Sequence, residues 1–105
     1  MDKKMILVVD DDAATIDILE KTLRSFGCKC RTANNGFKAL ELIKKETFAA
    51  AICDIRMPGI DGLEVMAEAR KIAPDLPFIV ITGFAKDYVY DQVIEAGATD
   101  YIQKP

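Results

Sequence analysis

The 105-residue chain has no histidine and only three cysteines. A structural zinc site draws its four ligands mainly from those two residue types, and Cys28-x-Cys30 has neither a second pair nor a histidine to complete a set. The cysteines are odd in number and belong to apolar runs, so they read as buried thiols in a reducing compartment rather than as a disulfide framework. No glycine-rich phosphate loop follows the first apolar run, which removes the usual signature of a nucleotide or flavin binder. Basic residues are not clustered: 14 Lys and Arg stand against 17 Asp and Glu, for a net charge of −3. The electrostatic footprint of a nucleic-acid surface is therefore missing, and direct contact with DNA is not expected of this segment. No apolar stretch approaches the roughly 20 residues of a membrane span, and no charged leader precedes a signal-like segment. The expectation is a soluble cytoplasmic protein with no membrane attachment. There are no repeats or linkers, and the length suits one domain, residues 1–105, rather than two.

What is present is an alternation of apolar runs with segments of helical period. Met5-Ile6-Leu7-Val8-Val9 predicts a buried strand near 5–10, and Ile16, Leu19, Leu23 and Phe26 form one stripe of a helix near 13–26 that Gly27 ends. A second strand is expected at about 28–33, and Asn34-Asn35-Gly36 supplies turn chemistry before a helix whose stripe is Phe37, Leu40 and Ile43. A third strand follows at about 49–54. Met57-Pro58-Gly59 and Asp61-Gly62 break regular structure, and a helix carrying Leu63, Met66, Ala67 and Arg70 runs on until Pro74 closes it. Strand four is expected at about 77–82, a last helix near 86–96 stopping at Gly97, and strand five at about 99–103. This order predicts an α/β fold, a doubly wound parallel sheet of five strands with right-handed crossovers and helices on both faces. Ile6–Val9 and Phe78–Ile81 are continuously apolar, as strands covered on both faces are.

Parallel strands open all their C-terminal ends at one edge, where such sheets place their sites. Four of the runs end there on chemistry-bearing residues: Asp10 with Asp11, Asp54, Thr82, and Lys104. Three carboxylates at one point repel one another unless a cation sits among them. An all-oxygen set without histidine or thiolate favours a hard divalent ion, and Mg2+ tolerates a site of a few carboxylates and water. The competing reading is that Asp10 to Asp12 only cap the first helix. That serves for Asp12, but capping does not require Asp54 on another strand. A carboxylate beside Mg2+ is a competent nucleophile toward phosphorus, with Lys104 supplying an ammonium and Thr82 a hydroxyl for the phosphoryl oxygens.

Taken together, Val8-Val9-Asp10-Asp11, Asp54 with Met57-Pro58-Gly59-Ile60-Asp61-Gly62, Thr82-Gly83, Gly97-Ala98 and Lys104-Pro105 make the chain resemble the receiver domain of bacterial two-component response regulators. The resemblance implies a flavodoxin-like sheet of order 2-1-3-4-5. It implies that Asp54 accepts phosphate from a histidine kinase or phosphotransfer protein, and that Asp10, Asp11, Asp54 and the backbone carbonyl of Arg56 hold Mg2+. It further implies that Thr82 and Lys104 sense the phosphoryl group, and that Tyr101 turns inward when Thr82 moves, altering contacts with an output domain or effector protein. Such a domain is not an enzyme in the usual sense, although it catalyses its own phosphorylation and dephosphorylation. The Lys104–Pro105 bond matches one usually cis in the family. Arg56 and Phe84, two residues beyond Asp54 and Thr82, flank the expected phosphorylation site and either hinder the hydrolytic water or are variable loop residues.

Family members continue past the Lys-Pro pair into a fifth helix. With that final helix missing from this chain, one sheet face is expected to be partly bare, to be covered by a continuation of the natural chain, a partner domain or a second copy in a homodimer. Two other classes compete. A small phosphatase of the haloacid-dehalogenase type would use Asp10-x-Asp12, but that motif calls for Thr or Val where Ala14 stands. A phosphate-independent interaction module would keep the fold without needing the complete acidic set.

Overall fold

The computed structural model describes residues 4–82, 94, 95 and 97–103. Five strands, β1 (Met5–Val9), β2 (Lys29–Ala33), β3 (Ala50–Asp54), β4 (Phe78–Thr82) and β5 (Asp100–Gln103), form one parallel sheet in the order β2-β1-β3-β4-β5. Among the described residues three complete helices run between them: α1 (Ala13–Ser25), α2 (Gly36–Lys45) and α3 (Gly62–Ile72). Residues 94 and 95 are helical, as expected of the last helix near 86–96, the rest of which falls outside the described residues apart from the turn at Gly97. Class, strand order and parallel pairing agree with expectation.

Local chemistry sets the boundaries. Asp12 caps α1 by accepting from Ala14 N at 3.2 Å and Thr15 Oγ1 at 2.7 Å. The helix ends in a Schellman pair, Cys28 N to Leu23 O and Gly27 N to Arg24 O, each 3.0 Å, with Gly27 at φ +84°. Asn35 caps α2 through Lys38 N at 2.9 Å. Asp61 and Glu64 cap α3 reciprocally as a capping box, with Glu64 N to Asp61 Oδ1 at 2.9 Å and Asp61 N to Glu64 Oε1 at 3.3 Å.

Side chains of neighbouring in-register strand residues point to one face, so the sheet divides cleanly. Leu7, Val9, Ala51, Cys53, Phe78 and Val80 join Ala39, Ile43, Val65, Met66 and Ala69 of α2 and α3 in one buried core. Ile6, Val8, Ile52, Ile79, Ile81 and Ile102 fall on the opposite face. Ile52 and Ile79 are only half-buried there, and Ile102 is 51% exposed. Two expected stripe residues behave otherwise. Phe26 is the C-cap of α1 and 78% exposed, because the helix stops one residue before its side chain would join the stripe. Phe37 is 60% exposed, since α2 buries Gly36, Ala39 and Ile43 and turns Phe37 off that line. Cys30 and Cys53 are buried and Cys28 half-buried, all as free thiols.

Arg70 of α3 ties three segments together. Its guanidinium donates to the carbonyls of Leu76, Pro74 (3.4 Å) and Gly97 (2.6 Å), and lies 5.5 Å from the centroid of the Phe78 ring. Losing it strands carbonyls at the loop before β4 and the turn before β5, and a lysine cannot restore the planar fork. Arg70→Met is expected to lower unfolding free energy by about 2 kcal/mol, and Arg70→Lys by at least half as much. Urea titration of the two variants checks this.

Candidate functional site

The C-terminal ends of β1, β3 and β4 meet at one edge and deliver Asp10, Asp54 and Thr82. Asp10 follows β1 and is fully buried; its N–H donates to Ala33 O at 3.1 Å and its Oδ1 accepts from Asp12 N at 2.9 Å. Asp54 is the last residue of β3, 4% exposed, and Thr82 the last of β4, fully buried. Ile55 N to Ile81 O, 3.2 Å, carries the β3–β4 pairing one step past Asp54. Asp11 is exposed beside them. One carboxylate oxygen from each of Asp10, Asp11 and Asp54 lies within 4.8 Å of the others.

Three ionised carboxylates at that spacing cost about 3 kcal/mol per pair at an effective dielectric near 20. The residues fit a hard cation. Oxygens that share a Mg2+ at ~2.1 Å lie ~3 to ~4 Å apart, so this set would hold the ion after closing by an ångström or two or by taking one contact through water. Capping does not account for the cluster, since Asp12 alone caps α1. Asp11→Ala is therefore expected to raise the melting temperature of metal-free protein by about 4 °C, the shift that ~1 kcal/mol produces in a domain this size. The effect is small because Asp11 is exposed and its charge is screened by solvent. With saturating Mg2+ the order should reverse. A lower melting point for Asp11→Ala in chelator would show that the carboxylate is structural.

Arg56 is exposed and lies in the loop between β3 and α3, two residues beyond Asp54. Tyr101 stands on β5 opposite Val80. Its side chain, Phe84, Lys104 and the Lys104–Pro105 bond lie outside the described residues. The structure thus brings together Asp10, Asp11, Asp54 and Thr82 of the expected set.

Two glycines allow close approaches that turn chemistry does not explain. Gly62 opens α3 against the site, where a Cβ would press into the carbonyl of Asp54 and stand 2.9 Å from Ile55 Cα. Gly36 opens α2, where a Cβ would meet Ile60 Cγ1 at 2.5 Å and Val65 Cγ2 at 2.6 Å. Both occur in pairs read as turn chemistry, Asn35-Gly36 and Asp61-Gly62, so the signal was present but attributed to turns.

The model of the response regulator receiver domain matches residues 6–105. The chain belongs to that family. Among relatives of this receiver, the response regulator MprA of Mycobacterium leprae is 41% identical over 102 residues, 95% of this chain and 44% of that protein. The transcriptional regulatory protein ZraR of Klebsiella oxytoca is 38% identical over 100 residues, 95% of this chain and 23% of that protein. The chain thus spans less than half of the length of either relative. The response regulator protein TrrA of Thermotoga maritima, solved in complex with Mg(2+)-BeF, is 37% identical and superposes with a TM-score of 0.88, covering 97% of this chain and 87% of that one. Among the described residues no helix is long and apolar enough to cross a membrane.

Beneath the receiver's acidic site, Cys53 donates from Sγ to Asp54 O at 3.3 Å. Burial, reinforced by the charges of Asp54, Asp10 and Asp61, pushes its thiol far above the ordinary value of 9.0. The raised value makes the folded state hold this proton more tightly than the unfolded state. Its contribution to stability is complete below pH 9.0 and is lost as pH rises beyond it. Urea midpoints of Cys53→Ala should accordingly fall less steeply above pH 9.0 than those of the parent.

Proposed function

We propose that this receiver takes a phosphoryl group from the phosphohistidine of a histidine kinase or phosphotransfer protein onto Asp54, in a Mg2+-dependent reaction. The carrying observation is the set of three carboxylate oxygens within 4.8 Å of one another at the sheet edge. Asp10, Asp11, Asp54 and the Arg56 carbonyl are the residues assigned to hold the ion. Bound Mg2+ supplies positive charge against the phosphoryl oxygens.

An Asp54 carboxylate oxygen attacks phosphorus, forming the P–O bond of an acyl phosphate while the P–N bond to imidazole breaks and its electron pair returns to nitrogen. In the reverse sense of signalling, water attacks phosphorus, the P–O bond to Asp54 breaks, and inorganic phosphate leaves with the carboxylate restored. Thr82, at the adjacent strand end, is assigned donation to a phosphoryl oxygen, and Lys104 the neutralising ammonium. The receiver thus catalyses its own phosphorylation and dephosphorylation without turning over an external substrate. The Mg(2+)-BeF complex of the Thermotoga maritima relative supports this reading.

Thr82 and Tyr101 form the proposed switch. A phosphoryl group biases the domain only by contacting one conformation better than the other, and the Thr82 hydroxyl is the contact that differs. The altered surface then acts on an output domain or effector protein, in the cytoplasm, with no DNA contact by this segment. Residues 1–105 constitute the receiver domain. The test is intact mass after exposure to Mg2+ and acetyl phosphate. One added phosphoryl group that chelator prevents supports the reading. Sustained release of phosphate from many phosphomonoesters would instead favour a phosphatase.

A further inference from the structure

Phe37 is a large aromatic left 60% exposed on α2, yet its ring is not idle. A Cβ placed on Gly59 would stand 3.2 Å from Phe37 Cε2 and 3.9 Å from Cδ2, so one edge of the ring takes the space that a side chain at position 59 would need. Gly59 has φ +85° and follows Pro58, a pair that suits the two central positions of a type II turn. One residue earlier on α2, Gly36 lets Ile60 approach to a distance that no Cβ would permit. The first turn of α2 therefore grips two consecutive residues of the loop joining Asp54 to α3, the loop that contains Arg56. The far end of the same loop is fixed by the Asp61–Glu64 capping box.

We propose that Phe37 is a positioning residue for the metal site: by covering Gly59 it holds the 56–60 turn, and hence the Arg56 carbonyl, in the geometry that Mg2+ binding uses. The proposal rests on the assignment of Arg56 as a ligand and extends it to a residue that touches neither metal nor phosphoryl group. An uncovered turn of this kind samples alternative backbone states, and the ion must then select the competent fraction at a cost in affinity. Alanine is intrinsically a better helix former than phenylalanine, so Phe37→Ala does not weaken α2 by propensity. Its effects report the lost cover.

The experiment compares the parent, Phe37→Ala, Phe37→Leu and Asp11→Ala by calorimetric titration with Mg2+ and by amide hydrogen exchange without metal. Phe37→Ala is expected to weaken Mg2+ binding about fivefold, less than the ~10–100-fold typical of groups bonded directly to a ligand. Exchange at the amides of Met57, Gly59 and Ile60 should quicken about tenfold as local opening becomes easier. Phe37→Leu, which keeps an apolar cover, should stay close to the parent in both. Unchanged affinity in Phe37→Ala alongside weakened binding in Asp11→Ala overturns the role of Phe37 and leaves the acidic site standing. If Asp11→Ala binds Mg2+ like the parent, the metal assignment itself has failed, and unaltered exchange at 57–60 then overturns the loop-holding role as well.

Discussion

Asp54→Asn is expected to abolish phosphoryl uptake from acetyl phosphate, with no residual label at neighbouring carboxylates. The amide keeps the shape and volume of the side chain, so the fold and the β3–β4 pairing survive. What it lacks is the anionic oxygen that attacks phosphorus, and a neutral amide oxygen is too weak a nucleophile to replace it. The same substitution removes one of three like charges, so metal-free Asp54→Asn should melt at or above the parent. These two readouts separate loss of chemistry from loss of structure. Asp11→Ala gives the complementary pattern, with a nucleophile present but Mg2+ binding weakened and phosphorylation slowed. Undiminished labelling of Asp54→Asn, located by peptide mass to Asp10 or Asp11, would remove Asp54 from its assigned role.

The fold was legible because β1 and β4 are short, continuously apolar runs within an alternation of strand and helical periods that admits few topologies. The acidic site was legible for a related reason. Parallel strands bring their C-terminal ends together, so residues 10, 54 and 82 converge although they are far apart in sequence. Burial of individual aromatics was less legible. Phe26 and Phe37 both satisfy the spacing of a core stripe, yet the first falls just past the end of α1 and the second sits at the start of α2, where the helix has already turned toward Ala39 and Ile43. Periodicity reports which residues share a helix face. It does not report where the helix ends relative to the sheet beneath it. The capping role falls to Asp12, the N-cap of α1, so capping does not account for the carboxylates of Asp10 and Asp11. Gly36 and Gly62 were the least legible, since a pair such as Asn-Gly or Asp-Gly looks identical whether the glycine serves a turn or a close approach between elements.

Gly62 tests that last distinction with the largest stability effect expected of a single methyl group in this chain. In an ordinary helix position Gly→Ala stabilises by about 1 kcal/mol, through lower backbone entropy in the unfolded state and better helix propensity. Here the added Cβ would collide with the Asp54 carbonyl and crowd Ile55 Cα, both backbone atoms that cannot rotate aside. Relief requires moving the start of α3 away from the end of β3. That motion strains the hydrogen bond from Gly62 N to Ile55 O, 2.6 Å, and loosens the packing of Val65 and Met66 behind it. Overpacking of this kind costs about 1–3 kcal/mol and outweighs the propensity gain, so Gly62→Ala should unfold at lower urea than the parent by roughly 2 kcal/mol. Because the displaced backbone belongs to Asp54, the defect should also reach the chemistry. Phosphorylation by acetyl phosphate ought to slow in Gly62→Ala under conditions where the protein remains fully folded, whereas Arg70→Met, destabilised to a similar degree at the opposite edge of the sheet, should be labelled at the parent's rate. A Gly62→Ala variant as stable as the parent would mean that α3 can withdraw from Asp54 freely, and the glycine would then be a turn residue after all.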